Sequence, residues 1–171
     1  MLGKRSFYLG AAGAGAHMKL VVNMVMGGMM ASFAEGMALA EAAGLQQSDL
    51  LDVLDLGAIA NPMFKMKGPA LSARAFPPAF PLKHQQKDLR LALALGAVAE
   101  ERDRGCMCAC ICVAVSDVRC AFVCVCAGDE LNQPLPVAAA ANEAYKRAKA
   151  AGHGDADFAA VYEAINPRKK E

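Results

Sequence analysis

The 171-residue sequence lacks Trp altogether, holds aromatic residues at only 6%, and has no excess charge of either sign, with 18 Lys and Arg against 17 Asp and Glu. Without rings, a core must come from Ala, Leu, Val and Met, a composition that suits packed helices better than a β-sandwich. Without a net positive field there is nothing to hold a nucleic-acid backbone or an anionic membrane. No charge-free run long enough to span a bilayer is present, and no transmembrane helix is expected. The longest charge-free stretch, Leu20 to Ala34, includes Asn23, Gly27, Gly28 and Ser32 and is shorter than the roughly 20 residues a membrane requires. The beginning, MLGKRSFYLG, has no apolar segment followed by a small-residue cleavage site, so no secretory signal is read there. A phosphate-binding G-x-x-x-x-G-K-[ST] loop, a G-x-S-x-G elbow and an HExxH zinc motif are also missing.

Cysteine is absent except in one place. All seven, Cys106, Cys108, Cys110, Cys112, Cys120, Cys124 and Cys126, fall within a single short segment. CMCACIC repeats Cys at every second position, whereas zinc sites use pairs with room for a turn around the metal, and no metal site is assigned. His17, His84 and His153 each lack a second ligand at metal spacing and are read as surface or structural. A different origin fits the cysteines. CVCAG back-translates to a TG-rich tract ending in GCAGG, the form of the 3′ end of an intron. Residues 97–128 are 32 codons, or 32 × 3 = 96 nucleotides, and therefore lie in frame. Removing them joins LALG directly to DELNQPLP and leaves one helix-to-helix connection of ordinary length. Residues 97–128 are accordingly expected to be a foreign, retained-intron insert.

The rest is patterned for helices. His17 to about Ala43 is helix-compatible and apolar on every side until Glu35 and Glu41, which predicts a long buried helix. Ser48 is expected to cap a second helix ending at Gly57, and Asn61-Pro62 to open a third. KHQQKDLRLALALG reads as a fourth helix, although its alternating Leu would also suit a strand, and VAAAANEAYKRAKAAG as a fifth that ends in basic residues and Gly152. A last helix is expected from Asp155. Ser6–Leu9 reads as a short strand with no sequence neighbour to pair with.

Between Arg5 and Glu35 the only formal charge is Lys19, on the first turns of the most apolar helix. Asn23 follows four positions later and therefore projects from the same face, so both side chains can donate to one small oxygen-bearing ligand. That pair suits the polarisation of a carbonyl. It equally suits a lysine whose stem lies along the helix while its ammonium reaches water, beside an asparagine satisfied by backbone. The Lys83, His84, Lys87, Asp88 and Arg90 group can similarly be a solvated helix start.

GAAGAGAHMKLVVNMVMGGMMASFAEG resembles the G-x-G-x-x-x-K-x-x-x-N segment that opens the long interdomain helix of the β-hydroxyacid dehydrogenases. NPMFKMKGP, PPAFPLKHQQKDLRLALALG and the NQPLP to YEAI stretch follow in the family's order and look closest to the plant-type glyoxylate/succinic semialdehyde reductases. The resemblance implies an all-α, 6-phosphogluconate dehydrogenase C-terminal-like domain over residues 13–171, with residues 1–12 the last strand and linker of a Rossmann domain that should precede it. It implies that Lys19 and Asn23 are catalytic, that Phe80 and Asp88 border the substrate, and that Lys87 reaches the cofactor. NADPH is the expected cofactor in preference to NAD, and a small aldehyde or 2-oxo acid the expected substrate. The protein is expected to be a cytoplasmic homo-oligomer with neither nucleic acid nor membrane as partner. Half of such an enzyme should be inactive alone, and the runner-up reading is an inactive helical dimerisation module.

Overall fold

A computed structural model describes residues 5–96 and 133–168. Six α-helices run in the order α1 (Ala14–Ala42), α2 (Gln47–Leu56), α3 (Pro62–Ser72), α4 (Leu82–Gly96), α5 (Pro136–Ala150) and α6 (Tyr162–Ile165), with 3₁₀ turns at His153–Asp155 and Phe158–Val161. The fold class is all-α. Ser6–Leu9 does not form the expected strand. The chain there is extended and exposed, with Tyr8 93% accessible, because no second strand lies among the described residues to take its backbone hydrogen bonds.

α1, α4 and α5 pack against one another, the α2–α3 pair leans on α1, and the segment from His153 to Ile165 closes the group from the other side. Met30, Phe33, Ala34 and Met37 of α1 meet Leu71, Leu82, Leu89, Tyr145, Ala148 and the Phe158–Tyr162 run in one core. The burial predicted for all of α1 sets in only from Gly27 onward. Met18, Val22, Val25 and Met29 remain between 38% and 55% exposed. Their spacing of four, three and four places them along one stripe. By length and composition α1 is also long and apolar enough to cross a membrane, although its second half supplies the core.

Helix ends follow local chemistry. α1 stops in a Schellman motif: Gly44 is left-handed at φ 74°, its N–H donates to the Glu41 carbonyl, and the Leu45 N–H donates to that of Ala40. α3 begins as expected at Asn61, whose side chain accepts from the Phe64 N–H, and ends in the same motif with Arg74 in the left-handed position at φ 47°. For a residue with a Cβ this conformation costs on the order of 1 kcal/mol. Arg74 is held there by Glu163, Glu41 and the Asn166 carbonyl. α2 starts at Gln47, preceded by Gln46, so Ser48 lies inside the helix and does not cap it, and its hydroxyl donates to Asp49. The last helix starts later than Asp155. Asp157 is the capping residue, its carboxylate accepting from the Ala159 N–H and from Lys67. The cysteine-bearing segment 97–128 lies outside the described residues.

Candidate active site at the crossing of the first and fourth helices

α1 and α4 cross where Lys19, Asn23, Lys87 and Asp88 meet. Lys19 Nζ is 3.0 Å from Asp88 Oδ2 and 3.3 Å from Oδ1. Asn23 Nδ2 donates to the same Oδ2 at 2.6 Å, and Lys87 Nζ stands 3.1 Å from Oδ1. The Asp88 side chain is 1% exposed, whereas those of Lys19 and Lys87 are 57% and 45% exposed. A buried carboxylate thus organises two ammonium groups that remain open to solvent. Burial pushes the Asp88 carboxyl up, but hydrogen bonds from Asn23, Lys19 and Lys87 outweigh it and hold the group below the usual aspartate range. Asp88 is consequently an anion near neutral pH, and the two lysines leave the cluster with an excess of one positive charge.

Local sequence explains the placement. Lys19 and Asn23 are one turn apart on α1, so both point at α4. In α4 the charged start of KHQQKDLRLALALG gives way to apolar residues after Asp88, which sets Leu89 and Ala92 in the core. Gln85, fully buried, donates from Nε2 to the Asn23 main-chain oxygen at 2.8 Å. Gly27 is buried under this contact, and a Cβ there would overlap Gln85 Nε2 and approach Leu89 Cδ1 to 3.2 Å.

Four of the five residues singled out in the sequence are therefore joined in one cluster: Lys19, Asn23, Lys87 and Asp88. Phe80 belongs to a neighbouring one. Its ring lies 6.0 Å from that of Phe158 and 6.4 Å from that of His84, and its N–H donates to Asp157. Asp157, with a side chain 3% exposed, also accepts from Lys67 at 2.8 Å and so fastens the Pro-rich loop to the 3₁₀ turn. Sequence reasoning missed Gln85, Gly27 and Asp157. A glutamine and a glycine in helical patterns are ordinary locally, and only the partner helix gives them meaning. No group of three His, Cys, Asp or Glu among the described residues could hold a metal.

The family described as NAD-binding of NADP-dependent 3-hydroxyisobutyrate dehydrogenase matches residues 13–103, more than half of the chain. The chain is 52% identical to glyoxylate/succinic semialdehyde reductase 1 of Arabidopsis thaliana over 165 residues, covering 96% of this chain and 46% of the relative. It is 45% identical to the chloroplastic reductase 2 of the same plant over 169 residues, covering 99% of this chain and 38% of that protein. The chain therefore spans about half, or less, of the length of these relatives. Among solved structures, Mycobacterium tuberculosis 3-hydroxyisobutyrate dehydrogenase with L-serine superposes with a TM-score of 0.66 at 25% identity, over 93% of this chain and 46% of that one.

Proposed function

The chain belongs to the 3-hydroxyisobutyrate dehydrogenase family, and on that premise we propose that it is the substrate-gripping helical half of an NADPH-dependent aldehyde reductase. The reaction is reduction of glyoxylate to glycolate and of succinic semialdehyde to 4-hydroxybutyrate, the substrates carried in the names of its Arabidopsis relatives. The observation that supports this most is the convergence of Lys19, Asn23 and Asp88.

When bound, the nicotinamide cofactor supplies the hydride; Lys87 is the residue of this chain that would reach it, and its half-exposed ammonium suits an anionic group. Lys19 holds the aldehyde oxygen by a hydrogen bond and passes its proton to that oxygen as negative charge develops. Asn23 offers a second donor from one turn further along. Asp88 orients both and keeps the ammonium at the helix crossing, while the positive excess of the cluster favours substrates that carry a carboxylate. Phe80, in the loop just before α4, supplies the apolar wall, and its ring lies 6.4 Å from that of His84 on α4. L-serine, a small hydroxy acid, accompanies the Mycobacterium relative and is consistent with such a pocket.

The protein works in the cytoplasm as a homo-oligomer, and residues 97–128 are a retained-intron insert. A second reading, a non-enzymatic helical association module, draws on the exposed stripe of Met18, Val22, Val25 and Met29. An NADPH oxidation assay separates the two. The 171-residue chain alone is expected to show no turnover. Joined to the portion of Arabidopsis reductase 1 that it does not match, it is expected to reduce both aldehydes. An inactive, folded chimera that still binds NADPH would favour the association module.

A further inference from the structure

We propose that Gln85 is the positioning residue of this site: Gln85 and Asp88, one turn apart on α4, grip Asn23 from two sides and so fix the register of α1 at Lys19. Asp88 takes the Asn23 side chain at 2.6 Å, and Gln85 takes its main-chain oxygen at 2.8 Å. Inside α1 that oxygen is also the acceptor for the Gly27 N–H, one turn on. Gln85 therefore adds a second donor to a carbonyl that the helix already uses. Gly27 makes the approach possible, since any side chain at that position would occupy the space of the amide.

Packing does not account for a glutamine here. Its Oε1 is buried without a partner, a defect that a methionine or leucine of similar volume would avoid. Only the NH₂ end can face the Asn23 carbonyl, so the amide is oriented by the bond it makes. The adjacent Gln86 provides a contrast. It is also buried, but its amide donates to Asn142 at 3.1 Å and so ties α4 to α5. One glutamine thus holds the helix pair and the other holds the site.

That the fixed atoms belong to a reductase rests on the function proposed above; the clamp does not. The test accordingly reads the site without turnover. In the 171-residue chain, carbon-detected NMR follows titration of the Asp88 carboxyl, and the Asn23 side-chain amide reports its own hydrogen bond. Gln85→Met is expected to lower the melting temperature, shift the Asn23 amide resonance and raise the Asp88 midpoint, because the Asn23 donor that lowers it is displaced. Gly27→Ala, which displaces the amide from the opposite side, is expected to do the same. Gln86→Met is expected to lower the melting temperature and leave both site signals in place. Equal destabilisation by Gln85→Met and Gln86→Met with an unmoved Asp88 titration would make Gln85 merely structural and overturn the proposal. Should the variants not fold, the parent decides: Gln85 Nε2 protons that exchange freely with solvent and show no proximity to the Gly27 Cα protons overturn it equally. Lys19→Ala turnover tests the reductase reading separately, so either can fail while the other stands.

Discussion

Asn23 Nδ2 donates to Asp88 Oδ2 at 2.6 Å across two helices, the two residues lying 65 positions apart in sequence, and Lys19 reaches the same oxygen from one turn earlier. This shared acceptor makes a lysine and an asparagine into one device. It also gives Asp88 a measurable signature in the stability of the protein.

The Asp88 carboxyl titrates below its unfolded value, so its ionised form contributes stability that is fully present above the unfolded pKa of about 3.9 and is lost as pH falls through the lower folded value. Asp88→Asn removes that linkage. Denaturant melts taken from pH 6 downwards are expected to show a shallower loss of stability in the variant than in the parent below about pH 4. Parallel curves would mean that Lys19 and Asn23 do not hold the carboxylate in solution.

Gly96, the last residue of α4, accepts a hydrogen bond from the Gln133 N–H at 3.0 Å, and a Cβ on Gly96 would lie 2.9 Å from the Gln133 carbonyl oxygen. The two ends of the intervening segment therefore already touch. Deleting residues 97–128 leaves four residues to join them, a length typical of helix–helix connections. The deletion variant is expected to keep the helical spectrum of the parent and to melt at the same temperature or higher. It should also lose oxidative cross-linking, because it loses all seven cysteines. Loss of cooperative melting would show that the segment is part of the fold.

Lys87 shares Asp88 with Lys19 but is the more C-terminal of the two neighbours and half exposed. In an active chimera, Lys87→Ala is expected to raise the Michaelis constant for NADPH about tenfold, the value of one charge-assisted contact, while turnover falls less. An unchanged constant would take Lys87 out of the cofactor site.

Met18, Val22, Val25 and Met29 leave an apolar stripe along α1 that soluble proteins normally cover. The 171-residue chain is expected to elute above monomer size, and Val22→Glu with Val25→Glu to restore a monomer. A parent that remains monomeric at high concentration contradicts the expected self-association.

Much of this arrangement was readable in the sequence because it is local. Asn61 before Pro62, the basic end of α5 before Gly152, and the four-residue interval from Lys19 to Asn23 all carry their structural meaning within a few positions. What was not readable is tertiary. Burial along α1 sets in at Gly27, although both acidic residues of the helix, Glu35 and Glu41, lie beyond that point, and only the positions of α4 and the core decide where it begins. Gln85 and Gly27 look unremarkable until two helices cross. Ser6–Leu9 has the composition of a strand, but strands need partners, and the described residues provide none. Asp157, rather than Asp155, begins the last helical stretch because Lys67 and three backbone N–H groups converge on it.

The central claim is that the Lys19 ammonium carries the proton of aldehyde reduction, and steady-state kinetics of Lys19→Ala in an active chimera test it most directly. A preorganised donor at a developing oxyanion is worth about 3 to 4 kcal/mol, so turnover with glyoxylate is expected to fall about 100- to 1000-fold while the dissociation constant for NADPH stays within about twofold. Near-parental turnover in a folded Lys19→Ala protein would contradict the account.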